Sequence, residues 1–165
     1  MVTPSRMVRS VSTDNGETWS AWEEVGKELI QTKVKTKFGA PKIFAPAGRG
    51  LTLKDGTFAA GLSVDGSVKG QGITFVYAYS KDKGMTWNYA GFIPGTDNTV
   101  TINEPKPIAQ LEDGRVLTSV RNAKNNNGGN NNPRLYAIFN ADGTSMPNKL
   151  SKWNFNWRSK RRVFK

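Results

Sequence analysis

An eight-residue pattern occurs twice in the chain and constrains its fold more than any other feature of the sequence. Residues 12–19 and residues 80–87 both read Ser-x-Asp-x-Gly-x-Thr-Trp. We call these two segments the octapeptide turns. Internal repetition at this scale is typical of repeat architectures, in which one supersecondary unit recurs along the chain.

The second octapeptide turn lies where one predicted strand ends and another begins. It follows residues 73–79, which are rich in the β-branched and aromatic residues typical of strands. Asp82 can accept hydrogen bonds from amides further along the turn, and Gly84 supplies a positive φ without steric cost. Trp87 has a large face to bury and an indole N–H that can reach a partner. We interpret Asp82, and Asp14 in the first copy, as turn-closing carboxylates rather than catalytic or metal-binding acids.

Two further segments have the pattern of β-hairpins. Residues 48–62 turn at Asp55-Gly56, and residues 102–121 turn at Asp113-Gly114, with apolar residues on both sides of each turn. Together with the strands around the octapeptide turns they give four short strands per unit. This is the blade architecture of a β-propeller.

The remaining segments are predicted less directly. Residues 6–12 and 134–139 read as strands, residues 31–42 as a loop or weak edge strand, and residues 122–134 as a long mobile loop. Residues 140–144 look like a degenerate third octapeptide turn, although they have no Ser and no Trp.

Length and charge divide the chain into two parts. At roughly 40–50 residues per blade, 165 residues are enough for about three blades. We predict an incomplete propeller over residues 1–148 and a disordered basic tail over residues 149–165, which contain basic residues but no acidic ones. Aromatic residues between the basic ones leave nucleic-acid binding open as an alternative for the tail, but we expect no nucleic-acid partner.

The composition excludes several kinds of chemistry. The chain has no histidine and no cysteine, so any reaction falls to carboxylates, Tyr, Lys or Arg. We expect no cofactor and no metal site. No apolar run approaches the roughly 20 residues of a membrane span, and the first residues lack the apolar core of a signal peptide.

The octapeptide turns resemble the Asp box, or BNR repeat, of sialidases (neuraminidases) and related β-propellers. The resemblance implies an all-β, partial β-propeller with about three of the family's six blades. A second resemblance lies in residues 103–122, where Asn103-Glu104 begins one strand, a turn follows, and Arg121-Asn122 ends the next strand. The central segment of sialidases has the same order.

This resemblance implies roles for two residues. Glu104 would hydrogen-bond the catalytic tyrosine of a sialidase and help to deprotonate it, and Arg121 would be one of three arginines that bind the carboxylate of sialic acid. The hairpin itself predicts that both side chains lie at one end of its strands, and a guanidinium can donate two parallel hydrogen bonds to a carboxylate. An ordinary salt bridge is the alternative. Glu112 competes with Glu104 but sits beside the turn.

Other parts of the family's catalytic machinery have no counterpart here. Sialidases place their acid/base Asp ahead of the first Asp box, and no Asp precedes Asp14. Tyr136, the only tyrosine after Arg121, lies in no matching motif.

The resemblance therefore implies a fragment of an exo-α-sialidase-type glycoside hydrolase, acting on terminal sialic acids of glycoproteins or gangliosides. We expect it to be inactive alone. The alternative is a non-catalytic Asp-box propeller that binds glycans or proteins.

Overall fold

A computed structural model describes residues 5–39, 42–46, 49–65, 72–95, 102–123, 134–144 and 150–152. The strands in these ranges are β1 (Met7–Arg9), β2 (Glu23–Val25), β3 (Lys42–Phe44), β4 (Leu51–Thr52), β5 (Phe58–Asp65), β6 (Gly72–Ser80), β7 (Asn88–Gly95), β8 (Ile102–Gln110), β9 (Val116–Asn122), β10 (Leu135–Phe139) and β11 (Ser151–Lys152). Between β2 and β3 lies a π-helical segment, Glu28–Val34, which continues into α1, Lys35–Phe38.

The strands form three antiparallel sheets. β1 pairs with β2 alone. In the second sheet β5 lies between β6 and the two short strands β3 and β4, and β7 pairs with the far side of β6. The third sheet has the order β11-β10-β9-β8. Strands close in sequence are thus neighbours in space, as in the predicted succession of blades.

The second sheet is buried on both faces, and the side chains of β6 alternate between them. Phe75 and Tyr77 pack against the third sheet, where the ring centroid of Phe139 lies 5.1 Å and 4.8 Å from theirs. Val76 and Ala78 point the other way and pack against the helical segment. Period-two alternation with apolar residues in both registers is typical of a strand between two layers.

The helical segment corrects one prediction. Residues 31–42 were expected to form a loop or edge strand, but the π-helical segment and α1 extend to Phe38, and only residues 42–44 form a strand. The apolar residues Ile30, Val34 and Phe38 follow one another at intervals of four and are buried against the second sheet. Because the six positions between them hold three lysines, two threonines and a glutamine, the polar composition of the segment concealed its helical stripe.

The two octapeptide turns have the same hydrogen bonds. In the second copy Ser80 Oγ accepts from the Gly84 amide at 2.8 Å, and the Asp82 carboxylate accepts from the Thr86 amide and from Thr86 Oγ1, at 2.9 and 2.6 Å. The Trp87 indole donates to the Gly84 carbonyl at 2.9 Å. Each of these bonds recurs in the first copy. The turn-closing interpretation of the aspartates agrees with this geometry.

The tryptophans of the two copies differ in burial. Trp87 is half-buried, and the backbone at Gly26 comes so close to it that an added Cβ would lie 3.3 Å from the indole. Trp19 has no such cover and is 64% exposed. Trp19 and Trp22 both precede β2.

Residues 140–144 take the form of an Asp-Gly turn, not of an octapeptide turn. The Asn140 amide donates to the Thr144 carbonyl, and the Gly143 amide donates to the Asn140 carbonyl. Residues 53–57 and 111–115 have the same two bonds. The Lys54 amide donates to Gln110 Oε1, so these turns lie together. We call this side of the sheets, with residues 53–57, 80–87, 111–115 and 140–144, the turn end.

The start of the predicted tail is ordered, because β11 pairs with β10 through Ser151 and Lys152. Residues 153–165 and 124–133, which include most of the tail and of the predicted long loop, lie outside the described residues. Among the residues that are described, no helix has the length and apolar character of a membrane span.

Candidate functional site

Glu104 and Arg121 lie together at the end of the third sheet opposite the turn end. The register pairs Asn103 with Arg121, and Glu104 follows directly. Arg121 Nη1 is 3.4 Å from Glu104 Oε1, and the two side chains are 44% and 41% exposed. The hairpin thus brings a carboxylate and a guanidinium to one accessible place.

A β-bulge sets the position of Glu104. Between the pairs Asn103–Arg121 and Lys106–Ser119, β8 has one residue more than β9. Glu104 in this bulge has a φ of 45°, which is unfavourable for a residue with a Cβ. Its backbone amide donates a hydrogen bond to Asn103 Oδ1 at 2.8 Å. Bulges re-aim side chains and are frequent beside active sites.

The second sheet supports the bulge from behind. Gly61 of β5 lies so close to Pro105 that an added Cβ would be 2.3 Å from the Pro105 carbonyl oxygen. Only glycine permits this approach of two backbones. The position of Glu104 therefore depends on packing between two sheets as well as on its own strand.

The structure adds basic residues that the sequence did not single out. β9 and β10 pair Val120 with Leu135, and continuing this register by one residue sets Arg134 beside Arg121. Arg134 Nε donates to Ser119 Oγ at 2.8 Å, and Lys106 pairs with Ser119 from the other side. The sequence alone does not show that these basic residues are neighbours. They are far apart along the chain, and only the pairing of the strands brings them together.

This group of side chains has an excess of positive charge, which favours binding of an anion. Glu104 is the one acidic residue beside Arg121, Arg134 and Lys106 on these strands of the described chain. Like charges opposite each other on a sheet destabilise it unless an anion lies between them. A carboxylate ligand would relieve that repulsion and receive charge-assisted hydrogen bonds.

Other acidic residues lie away from this group. Asp14 and Asp82 close the octapeptide turns, and hydrogen bonds from Thr18 and Thr86 hold the pKa of each carboxyl down at about 2. Glu112 is exposed at the turn end, distant from Arg121 along the hairpin. The described ranges contain no cluster of three acidic side chains that could hold a metal ion.

Solved structures with a similar fold include sialidases. A Hadza microbial sialidase matches with 23% identity and a TM-score of 0.57, over 84% of this chain and 23% of its own. A Trypanosoma rangeli sialidase matches with 18% identity and a TM-score of 0.52, over 84% of this chain and 20% of its own.

A protein of unknown function from Dyadobacter fermentans has 18% identity and a TM-score of 0.59, over 88% of this chain and 38% of its own. No protein-family model and no curated protein sequence matches the chain.

These comparisons show the fold. The chain spans between a fifth and two fifths of the length of these three structures. The prediction of an all-β, sialidase-like partial β-propeller is confirmed by the antiparallel sheets together with this structural similarity.

Proposed function

We propose that this chain is part of an exo-α-sialidase-type glycoside hydrolase, acting on terminal sialic acids of glycoproteins or gangliosides. The observation that carries the proposal is the ion pair of Glu104 and Arg121 on a bulge with a positive φ. A residue held in an unfavourable backbone conformation points to function when the surrounding structure enforces it. The sialidase-like fold supports the same proposal.

In this proposal the arginines bind the substrate. Sialic acid carries a carboxylate, and Arg121 presents an exposed guanidinium that can donate to both of its oxygens. Arg134, beside it on the same face, adds a second positive charge. The 3.4 Å separation of Arg121 and Glu104 leaves the guanidinium free to turn towards a ligand, because an exposed ion pair of this kind is weak.

Glu104 has the second role. Sialidases are exceptions among glycosidases because a tyrosine attacks the sugar. In our proposal Glu104 accepts a proton from that tyrosine and so raises its nucleophilicity. The tyrosine, the acid/base aspartate and the other arginines of the binding set come from parts of the fold outside this chain. Catalytic groups that act as a unit lose their effect together, so we expect sialic acid binding without turnover.

A titration with N-acetylneuraminic acid, followed by NMR of the backbone amides, tests the binding role. The free sugar should shift the amides of Asn103, Glu104 and Arg121. Arg121→Met should weaken binding about tenfold or more, the usual effect of losing hydrogen bonds to a charged group. Arg115→Met, a matched change at the turn end, should leave binding unchanged. Equal affinities of the two variants would refute the site.

Enzyme activity needs a separate assay. A fluorogenic sialoside should not be turned over by the purified chain, and turnover abolished by Glu104→Gln would show that the chain is catalytically complete. Binding of sialic acid-free glycans in place of N-acetylneuraminic acid would favour the alternative, a non-catalytic Asp-box propeller.

A further inference from the structure

A small cavity lies at the turn end, far from Glu104. Its volume is about 150 Å³, and it opens between two Asp-Gly turns and the end of β6. The residues with polar side chains that line it are Asp55, Thr57, Tyr77, Tyr79, Lys81 and Asp142. β8 runs from Glu104 to Gln110 between the two ends, which separates them by roughly 20 Å at about 3.3 Å per residue. We call it the turn-end cavity.

Tyr77 contributes a hydroxyl to the cavity. The residue is only 2% exposed and lines the cavity, and among the described residues nothing hydrogen-bonds to its hydroxyl. Burial, with a smaller contribution from the Asp55 carboxylate, raises the pKa of this tyrosine to about 12, so it keeps its proton at neutral pH. A hydroxyl that borders a cavity and has no partner among the described residues can donate a hydrogen bond to a ligand there.

Packing holds the Tyr77 ring in place. It stacks on Phe139 at 4.8 Å between centroids. A Cβ added at Gly143 would lie 3.1 Å from Tyr77 Cε1, so the turn closes on the ring edge. The hydroxyl therefore cannot swing away to find a partner elsewhere.

In the turn-end cavity the carboxylates of Asp55 and Asp142 can accept hydrogen bonds, and the ammonium of Lys81 can donate them. Hydrogen bonds from the amide and hydroxyl of Thr57 lower the pKa of Asp55, and bonds from the hydroxyl and amide of Thr144 do the same for Asp142. Both are therefore ionised at neutral pH, with lone pairs free at the cavity. Lys81 stands at a variable position of the octapeptide, where the first copy has Thr13, so the turn itself does not require a lysine.

These groups select among ligands. Two carboxylates disfavour an anion, and the ammonium of Lys81 disfavours a metal cation. A neutral polyol uses every group, because each of its hydroxyls can donate to a carboxylate and accept from Tyr77 or Lys81. A cavity of about 150 Å³ is large enough for benzene, and this cavity is open on one side, so a polyol ring can enter it with some of its hydroxyls left in solvent.

We propose that the turn-end cavity binds a neutral polyol of one-ring size, a hexopyranose, with Tyr77 and Lys81 donating to its hydroxyls and Asp55 and Asp142 accepting from them. This site is separate from Glu104 and Arg121 and does not depend on a sialidase function. A chain with both sites would contact a glycan at two places.

An NMR titration of the full chain tests the proposal with methyl β-D-galactopyranoside and methyl α-D-glucopyranoside, each to tens of millimolar. At least one should shift the amides of Gly56 and Gly143, which lie in the turns that form the cavity. Saturation in the millimolar range is expected, given the few contacts of so small a ligand. Absence of shifts for both sugars would overturn the proposal.

Variants locate the binding. Tyr77→Phe removes one oxygen and keeps the ring, and should weaken binding about fivefold to tenfold. Lys81→Thr introduces the residue that the first octapeptide turn has at this position, and it should also weaken binding of the sugar. Because Lys81 is exposed, the turn itself should keep its structure. Tyr89→Phe, on the opposite face of the second sheet, is the matched control and should have no effect.

Two results would contradict the assignment. The first is equal affinity of the Tyr77→Phe and Tyr89→Phe variants. The second is that calcium chloride shifts Gly56 and Gly143 while neither sugar does, since this would identify a cation site.

Discussion

Substitution of Gly61 by alanine should loosen the packing that positions Glu104. The added Cβ would lie 2.3 Å from the Pro105 carbonyl oxygen and 2.9 Å from its carbon, whereas ordinary contacts begin at 3.4 Å. The two strands must therefore separate by about 1 Å, the difference between 3.4 and 2.3 Å. Overpacking of this kind typically costs about 1–3 kcal/mol of the free energy of unfolding.

Urea denaturation followed by tryptophan fluorescence measures this loss. Gly56→Ala is the matched control, because Gly56 has a φ of +84° but no neighbour within 4 Å of an added Cβ. The control reports backbone strain alone, roughly 1–2 kcal/mol for a residue forced into the left-handed region. Gly61 has no positive φ, so the stability lost in Gly61→Ala reports the contact with Pro105.

A second readout connects Gly61 with the site. If β5 holds the bulge, Gly61→Ala should shift the amide of Glu104 and weaken N-acetylneuraminic acid binding, and Gly56→Ala should do neither. A Gly61→Ala variant of wild-type stability with an unmoved Glu104 amide would refute the argument that sheet packing sets the bulge.

Three further perturbations test the fold. Trp87→Ala should lower the free energy of unfolding by about 1–2 kcal/mol, and Trp19→Ala by less than about 0.5 kcal/mol, because only the first is covered; urea curves for the pair decide this. Phe139→Ala should cost about 3–5 kcal/mol by the same measurement, since the ring is fully buried between Phe75 and Tyr77. Asp82 has a folded pKa of about 2, below its ordinary 3.8, so its contribution to stability is present above about pH 4 and is lost as pH falls towards 2. Asp82→Asn should flatten the fall of Tm over that range, and an unchanged slope would contradict the linkage.

The turns were predictable from sequence because their chemistry is local. Ser80, Asp82, Gly84 and Thr86 satisfy one another within seven residues, so the same letters give the same bonds in both copies. The Asp-Gly hairpins are equally local. Residues 140–144 were ambiguous because an Asp followed by Gly and Thr is shared by both turn types, and only spacing separates them.

Properties that depend on pairing between distant residues could not be predicted in this way. The bulge at Glu104 arises from a mismatch of β8 and β9 and from the approach of Gly61. The neighbourhood of Arg134 and Arg121 follows from register alone. Tyr77 has the pattern of an ordinary core residue in an alternating strand, and nothing local shows that its hydroxyl faces a cavity.

Among the described residues other than glycine, positive φ angles occur in two settings, the octapeptide turns and the bulge of β8. Asn15 and Lys83 have φ of 59° and 58°, and each lies directly before a glycine inside an octapeptide turn, where the reversal of the chain requires such a conformation. Glu104 has φ 45° in the bulge of β8, where the chain does not reverse. Sequences agree with their local structure almost everywhere, and exceptions concentrate where function imposes a cost. The first two angles are explained by the octapeptide turns, whereas the third falls on the carboxylate that faces Arg121, which is why we propose a functional role for Glu104.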